Sequence, residues 1–461
     1  MDQRRIRKMG GIDLIAKYNL AVPRYTSYPT VPYWDKTPTQ EEWKDLVKNA
    51  FTASNTENGI SIYIHLPYCE SLCTYCACNT RITINHAVEK PYIESLLKEW
   101  QLYLNVFEQK PKIKEIHLGG GTPTFFSPEN LHHLLSKILN DSDIAADTEF
   151  SFEAHPNNTT VKHLQCLYDL GFRRVSFGIQ DFDEKVQDAI NRLQSFEQVE
   201  TVVNQARAVG YTSINFDLVY GLPFQTLKSV TDTIQQSIKL KPERIAFYSY
   251  AHVPWLKPGQ RKYSDKDLPA DSEKRALYEK GLELFKQDGY VDVGMDHFAL
   301  SKDSLYTALK NKTLHRNFMG YTHNYTQLMV SLGASSISDT WNGFAQNLKT
   351  VEQYREAIDK NEFPILKGHI LSPEDLIIRK HILNIMCQGE TSWKNTTEQC
   401  EVLYHGIERL EELEKDGLVI VNDQSLKVTS EGRTFLRNTC MCFDARYWQK
   451  TPASKIFSSS I

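Results

Sequence analysis

No stretch of this 461-residue chain approaches the roughly 18 consecutive apolar residues of a membrane-spanning helix. Positive charge is not in surplus either: 53 Lys and Arg face 57 Asp and Glu, for a net charge of −4. A general nucleic-acid binder needs a basic face to neutralise phosphates, so that role is not expected. The opening residues, "MDQRRIRKMGGIDLIAKYNL", are basic but lack the apolar run of a secretory signal. There is no low-complexity tract, and no repeat beyond a strand–helix period. These absences predict a cytoplasmic protein without a membrane span, and in that compartment a dense cysteine group reads as a metal or redox site rather than a disulfide framework. What the chain has in quantity is core material, at 41% hydrophobic and 11% aromatic residues. Length alone suggests about three domains of ~150 residues, although α/β barrels often exceed 200 as one unit.

From residue 61 short apolar runs alternate with longer amphipathic stretches. The runs are "SIYIHL" (61–66), "KEIHLG" (114–119), "EFSFEA" (149–154), "RVSFGIQ" (174–180), "INFDLVYG" (214–221) and "RIAFYSYA" (244–251). Most are continuous enough to be buried on both faces, as parallel strands are. Between them lie helical patterns. Ser127 before Pro128 reads as an N-cap with proline at the first helical position, and Gly210 as a C-cap. Six strand–helix units predict an incomplete, open (β/α)6 barrel with its function at the strands' C-terminal ends. We therefore expect an N-terminal arm (1–60), the partial barrel with a mixed extension (61–370) and a mainly helical C-terminal domain (371–461). The last contains a hairpin around Asn422–Asp423 and resembles a winged helix. Its acidic and basic residues nearly balance, which argues against DNA reading.

Four of the nine cysteines fall within ten positions, in "YCESLCTYCACNT" (68–80). Cys69, Cys73 and Cys76 form C-x3-C-x2-C directly after the first strand. Three thiolates on one tight loop can hold three irons of a [4Fe–4S] cluster and leave the fourth open to a substrate. Structural zinc is the competing reading, since four cysteines can make a Cys₄ site. Zinc sites normally join two ligand pairs across a long loop, whereas here all four would crowd one turn. The other cysteines (166, 387, 400, 440, 442) are scattered, and the pair Cys440 and Cys442 reads as apolar packing. After the second strand, "GGGTPT" (119–124) supplies glycines for close backbone approach or positive φ, either to a ligand or simply in a tight turn.

The cysteine motif, in this order and place, resembles the radical SAM enzymes. With "YIHLPYCESLCTYCACN", "HLGGGTPT", "VSFGIQDF", "DLVYGLPFQT" and "GMDHFA" it is similar to the oxygen-independent coproporphyrinogen III oxidases, from "PRYTSYPT" (23–30) to "RNTCMCFD" (437–444). The arm "PRYTSYPT" and the fourth cysteine, Cys78, separate that family from related haem-carrying chaperones. Ala77 stands where the family often has Gly. The resemblance implies a [4Fe–4S] cluster on Cys69, Cys73 and Cys76, and two molecules of S-adenosyl-L-methionine (SAM). Tyr63, Gly120, Glu153 and Ile337 would serve the first; Tyr75, Gly121, Thr122, Gln180, Arg192, Asp217 and Ala251 the second. It implies conversion of two propionates of coproporphyrinogen III to vinyl groups, giving protoporphyrinogen IX, in a monomer fed by an unidentified reductant protein. A haem-carrying chaperone and a haem-degrading radical SAM methyltransferase stay open as alternatives.

Cys78 is too close to Cys76 to be a comfortable fourth ligand, and full ligation would exclude SAM, so a catalytic role is expected for it. A substrate with four propionates needs cations: Arg24, Lys257, Arg261, Lys262 and Arg316 are candidates. Tyr25 and Tyr28 of the arm are candidates to close over the substrate, and "HRNFMGYTH" (315–323) to line the same cavity.

Overall fold

The six apolar runs are six neighbouring parallel strands in the computed structural model, which describes residues 14–451 and Phe457. They span Ile60–Leu66, Lys112–Gly120, Asp143–Ala154, Arg174–Gln180, Ser213–Tyr220 and Arg244–Ser249, and pair in chain order. Helices join them, each burying one face on the sheet. In Pro128–Asn140 the buried residues are Leu131, Leu134, Leu135 and Ile138, a 3.6-residue stripe. Fully burying each contributes on the order of 1.5–3 kcal/mol. Ser127 caps that helix, its Oγ accepting from the Asn130 N–H at 3.2 Å, and Gly210 closes Phe196–Val209 at φ 117°.

The sheet does not close. Beyond the first strand it continues with Met329–Leu332, which is parallel, and then with the antiparallel Ile337–Asp339 and Gly343–Asn347. Beyond the sixth it continues with the antiparallel hairpin of Val291–Gly294 and His297–Ala299. The open six-stranded barrel expected from the sequence is present, with both edges capped by strands too short and polar to announce themselves.

The chain divides into two compact units. The barrel unit comprises Pro38–Tyr306 and Asn324–Lys367, so residues 38–60, including the helix Gln40–Ser54, belong with the barrel. The other unit gathers the residues up to Thr37, Thr307–His323 and those from Gly368 onward. In it the helix Pro373–Gln388, the strand Glu390–Ser392, the helices Glu401–Glu408 and Glu411–Lys415 and the hairpin Val419–Asn422 with Ser425–Val428 follow the element order of a winged helix. The arm packs within this unit on the helix Leu436–Phe443. Arg437 Nε donates to the Pro23 carbonyl at 3.0 Å, Asn438 Nδ2 to the Tyr18 carbonyl at 2.9 Å, and the Tyr25 hydroxyl to Asp444 at 3.1 Å. Tyr25 and Tyr28 are buried there, as are Cys440 and Cys442. Among the described residues, no helix is long and apolar enough to cross a membrane.

Candidate active site

The loop after the first strand carries Cys69, Cys73 and Cys76 into one cavity of about 850 Å³ at the C-terminal ends of the barrel strands. Two further loops brace it. Thr74 N–H and Oγ donate to the Ile190 and Ala189 carbonyls, both at 2.9 Å, and Asn191 Nδ2 to the Leu72 carbonyl at 2.8 Å. The thiols differ in their surroundings. Cys69 lies 3.3 Å from the Thr122 hydroxyl, and burial pushes it up to about 11. Cys76 is pulled down to about 6, chiefly by a hydrogen bond from Cys78 and further by the Cys78 N–H and the charges of Lys257 and Arg192. The same relation drives Cys78 the other way, well above the ordinary thiol range. Cys73 receives Arg192 Nη1 at 3.6 Å.

Three thiols on one cation-flanked loop suit a cluster, whose thiolates each bind a different iron. A zinc site requires its ligands to converge on one point.

The glycines of "GGGTPT" lock the second βα loop onto the first. The Gly121 N–H donates to the Leu66 carbonyl at 2.8 Å and Thr122 N–H to the Tyr68 carbonyl at 3.0 Å. A Cβ on Gly121 would stand 2.7 Å from the Pro67 carbonyl, and one on Gly120, at φ 115°, 2.6 Å from the His65 ring. These glycines are required by protein neighbours, and their peptide groups, with Thr122, face the cavity. The tight-turn reading of the motif therefore holds, and the loop also borders the cavity.

Two carboxylates enter the cavity from the third and fifth strands. Glu153 accepts the Gly120 N–H at 3.1 Å and faces His117 Nε2 at 3.7 Å. Burial works against its charge, but His117, the Gly120 N–H and the His65 ring outweigh it and hold the carboxyl below its ordinary range. Asp217 accepts from Ser176 Oγ and Asn215 Nδ2, both at 2.8 Å, yet burial and the charge of Glu153 raise it to about 6. Gln180 takes φ 67° at a register shift that turns it toward Arg192, and both side chains fill the space a Cβ on Gly178 would need. Arg192 follows the left-handed Asn191, gives Nη2 to the Gly178 carbonyl at 2.6 Å, and leaves Nε buried without a hydrogen-bond partner. Tyr75 and Ala251 line the same wall, their carbonyls tied together by Gln260 Nε2 at 3.1 and 3.3 Å. An orphaned guanidinium N–H beside two carboxylates suits a zwitterionic amino-acid ligand with ribose hydroxyls.

All the expected cofactor residues except Tyr63 and Ile337 line this cavity, and Cys78 lines it as an exposed side chain. Tyr63 stands behind it, stacked on His117 at 6.0 Å with its hydroxyl 3.1 Å from His65. Ile337 lies in the added antiparallel strand, where its carbonyl accepts from Ser331. Of the expected cations, Lys257 donates to the Cys78 carbonyl at 3.1 Å, Arg261 to the Pro254 carbonyl at 3.1 Å and Lys262 to the Asp188 carbonyl at 2.6 Å. Arg316 is buried in the other unit, over the Tyr321 ring and 3.5 Å from the Arg24 carbonyl. Sequence reasoning missed His117 and His155. The latter lines the cavity in the turn after the third strand, and burial with the neighbouring Arg192 lowers it to about 3. The one available signal was its position in "EAHP", just past a barrel strand.

Residues 63–236 match the Radical SAM superfamily. The oxygen-independent coproporphyrinogen III oxidase of Helicobacter pylori is 37% identical over 438 residues, covering 93% of this chain and 95% of its own. That of Synechocystis is 36% identical over 467 residues, covering 97% of each. The solved coproporphyrinogen III oxidase of Escherichia coli, a radical SAM enzyme, superposes with a TM-score of 0.87 at 34% identity, over 92% of this chain and 97% of that one. Full-length kinship at this level, with the cysteine loop seated on the barrel rim, shows that the chain belongs to the oxygen-independent coproporphyrinogen III oxidases of the radical SAM superfamily.

Proposed function

We propose that this protein oxidatively decarboxylates two propionates of coproporphyrinogen III to vinyl groups, yielding protoporphyrinogen IX. The observation that carries the reading is the three-cysteine loop docked by glycine backbone onto a barrel-mouth cavity with two carboxylates and an arginine. Cys69, Cys73 and Cys76 hold the [4Fe–4S] cluster. A bound [4Fe–4S] cluster would supply the low-potential electron with which SAM chemistry begins, while the protein holds and orients both groups.

The chain's own residues bind, orient and shield. Glu153, kept ionised by His117 and the Gly120 N–H, faces the ammonium or a ribose hydroxyl of the cluster-bound SAM. Arg192 offers its unpartnered Nε–H to a carboxylate, and Asp217 accepts hydroxyl hydrogens. Two SAM molecules share the cavity. The first lies with Gly120 and Glu153, backed by Tyr63 and Ile337. The second lies with Tyr75, Gly121, Thr122, Gln180, Arg192, Asp217 and Ala251. What supports two sites is that the two carboxylates reach the cavity from different strands, Glu153 from the third and Asp217 from the fifth. Cys78 stays outside this ligand set, its backbone N–H directed at Cys76 Sγ at 3.4 Å.

The test is an anaerobic assay of the iron–sulfur-reconstituted protein with reductant, SAM and coproporphyrinogen III. Protoporphyrin fluorescence after oxidation and 5′-deoxyadenosine are expected together, and both should vanish in Cys73→Ala. Deoxyadenosine without a vinyl product would move the protein to another substrate. Tight haem binding with neither product would make it a haem carrier.

A further inference from the structure

The mouth of the cavity is ringed by apolar side chains that water reaches. Leu72, Ile82, Ile84 and Leu193 belong to its lining, yet they are 41% to 81% exposed. Beside them Trp255 and Leu256 are 63% and 69% exposed, in a loop fixed to the cysteine loop by Lys257 on the Cys78 carbonyl. The same loop reaches Leu72 at Gly259, where a Cβ would lie 3.3 Å from Leu72 Cδ2. Single exposed leucines need no explanation, but four large apolar residues lining one opening, with two more on the loop tied to it, mark a binding surface.

We infer that this rim seats the tetrapyrrole macrocycle, with Lys257 and Arg261 receiving its peripheral carboxylates; the inference rests on the function proposed above. Size is the first argument. The cavity of about 850 Å³ would be taken up by the cluster and the two SAM molecules proposed above. The macrocycle would then lie across the opening with one propionate directed inward. Chemistry is the second. An indole and branched aliphatics present flat, apolar contact to pyrrole faces. Lys257 spends one of its three donors on a carbonyl and Arg261 only its Nε, so both keep N–H groups for an anion. Among the described residues, both bond carbonyls rather than carboxylates. An acidic redox protein would also meet the cations, but it gives no reason for the apolar ring around the opening.

The test is a fluorescence titration of the reconstituted holoenzyme, with SAM present, against coproporphyrin III, the air-stable oxidised form of the macrocycle. Binding should quench tryptophan emission in the parent, and Trp255→Phe should remove most of that change. Ile84→Ser with Leu256→Ser, both at exposed positions, should weaken binding at least tenfold while iron content stays at the parental level. Lys257→Ala should weaken coproporphyrin binding but not that of a porphyrin bearing only alkyl groups. Parental affinity in the Ile84/Leu256 variant would overturn the inference. So would a variant that loses turnover with a protein reductant but keeps it with dithionite, which would assign the rim to the electron donor. A parent that binds coproporphyrin but forms no vinyl product would refute the proposed reaction in the product assay, while the titration would still support the rim.

Discussion

His117 Nε2 faces Glu153 Oε1 at 3.7 Å, and the other ring nitrogen fixes which tautomer does so. Arg174 Nη2 donates to Ser151 Oγ at 2.9 Å, and Ser151 Oγ lies 2.8 Å from His117 Nδ1, where its hydroxyl hydrogen can be donated to the ring. In that arrangement the imidazole turns an N–H toward the carboxylate, at the head of a column that begins with Arg244 on Glu149 and passes through Arg174. His117→Phe removes that N–H and leaves burial, the largest influence on Glu153, less opposed. We predict SAM affinity lower by about tenfold, equivalent to about 1.4 kcal/mol, in equilibrium dialysis at pH 7.5. The loss should deepen toward pH 5.5 in the variant but not in the parent, whose Glu153 stays ionised. Iron content should not change.

Asp217 carries the opposite shift. Raised from 3.8 to about 6, it holds its proton more tightly in the folded chain than in the unfolded one. Stability therefore falls as pH rises from about 4 to 6, and the full penalty is present at pH 7.5. Asp217→Asn should stabilise the SAM-free protein there by about 1–3 kcal/mol, seen as a higher Tm. It should also cost a SAM equivalent in dialysis stoichiometry. A lower Tm would show that the Ser176 and Asn215 hydrogen bonds outweigh the buried charge.

The sequence made the barrel legible because most of its strands, over the stretch nearest the cavity, are buried on both faces and read as continuous apolar runs, such as "SIYIHL". Met329–Leu332 and Ile337–Asp339 offer only short runs, and "ISD" has no strand signature at all, so only tertiary pairing reveals them. The cluster site was legible because its chemistry is local: three cysteines on one loop need no fold to bring them together. His117 and Ser151 are the reverse case. Each is a lone polar residue inside an apolar strand, and the register of the second and third strands is what places them opposite each other. For Tyr25 and Tyr28 the sequence showed two aromatics on an arm but not what they would meet. The structure buries them within the C-terminal unit, with Tyr25 on Asp444.

Gly121 tests how tightly the two loops are joined. A methyl group there meets the Pro67 carbonyl at 2.7 Å and the Tyr68 oxygen at 2.8 Å, both backbone atoms that cannot swing aside. Relief requires the cysteine loop to move away from the glycine loop. Gly121→Ala should destabilise the barrel unit by about 1–3 kcal/mol. It should also lower iron incorporation on reconstitution, measured as iron and sulfide per chain. Gly289→Ala is the converse case: there is open space around its Cβ, but φ is positive at 87°, a region Gly121 does not occupy. It should lower stability without touching iron content, which separates backbone strain from displacement of the loop.

Cys78 separates ligation from catalysis. It lines the cavity and is exposed, its N–H lies 3.4 Å from Cys76 Sγ, and its own thiol keeps its proton well above the ordinary range. A group that donates to a neighbouring sulfur lowers that sulfur's basicity without competing for iron. Cys69→Ser, Cys73→Ser and Cys76→Ser should each abolish stable cluster assembly. Cys78→Ser should keep iron and sulfide at the parental level, because a serine hydroxyl can still donate to Cys76. Vinyl product should nevertheless fall by at least tenfold if the sulfur itself takes part in the reaction. Loss of the cluster in Cys78→Ser as complete as in Cys69→Ser would instead make Cys78 a ligand, and the iron left open for SAM would then have to be sought elsewhere.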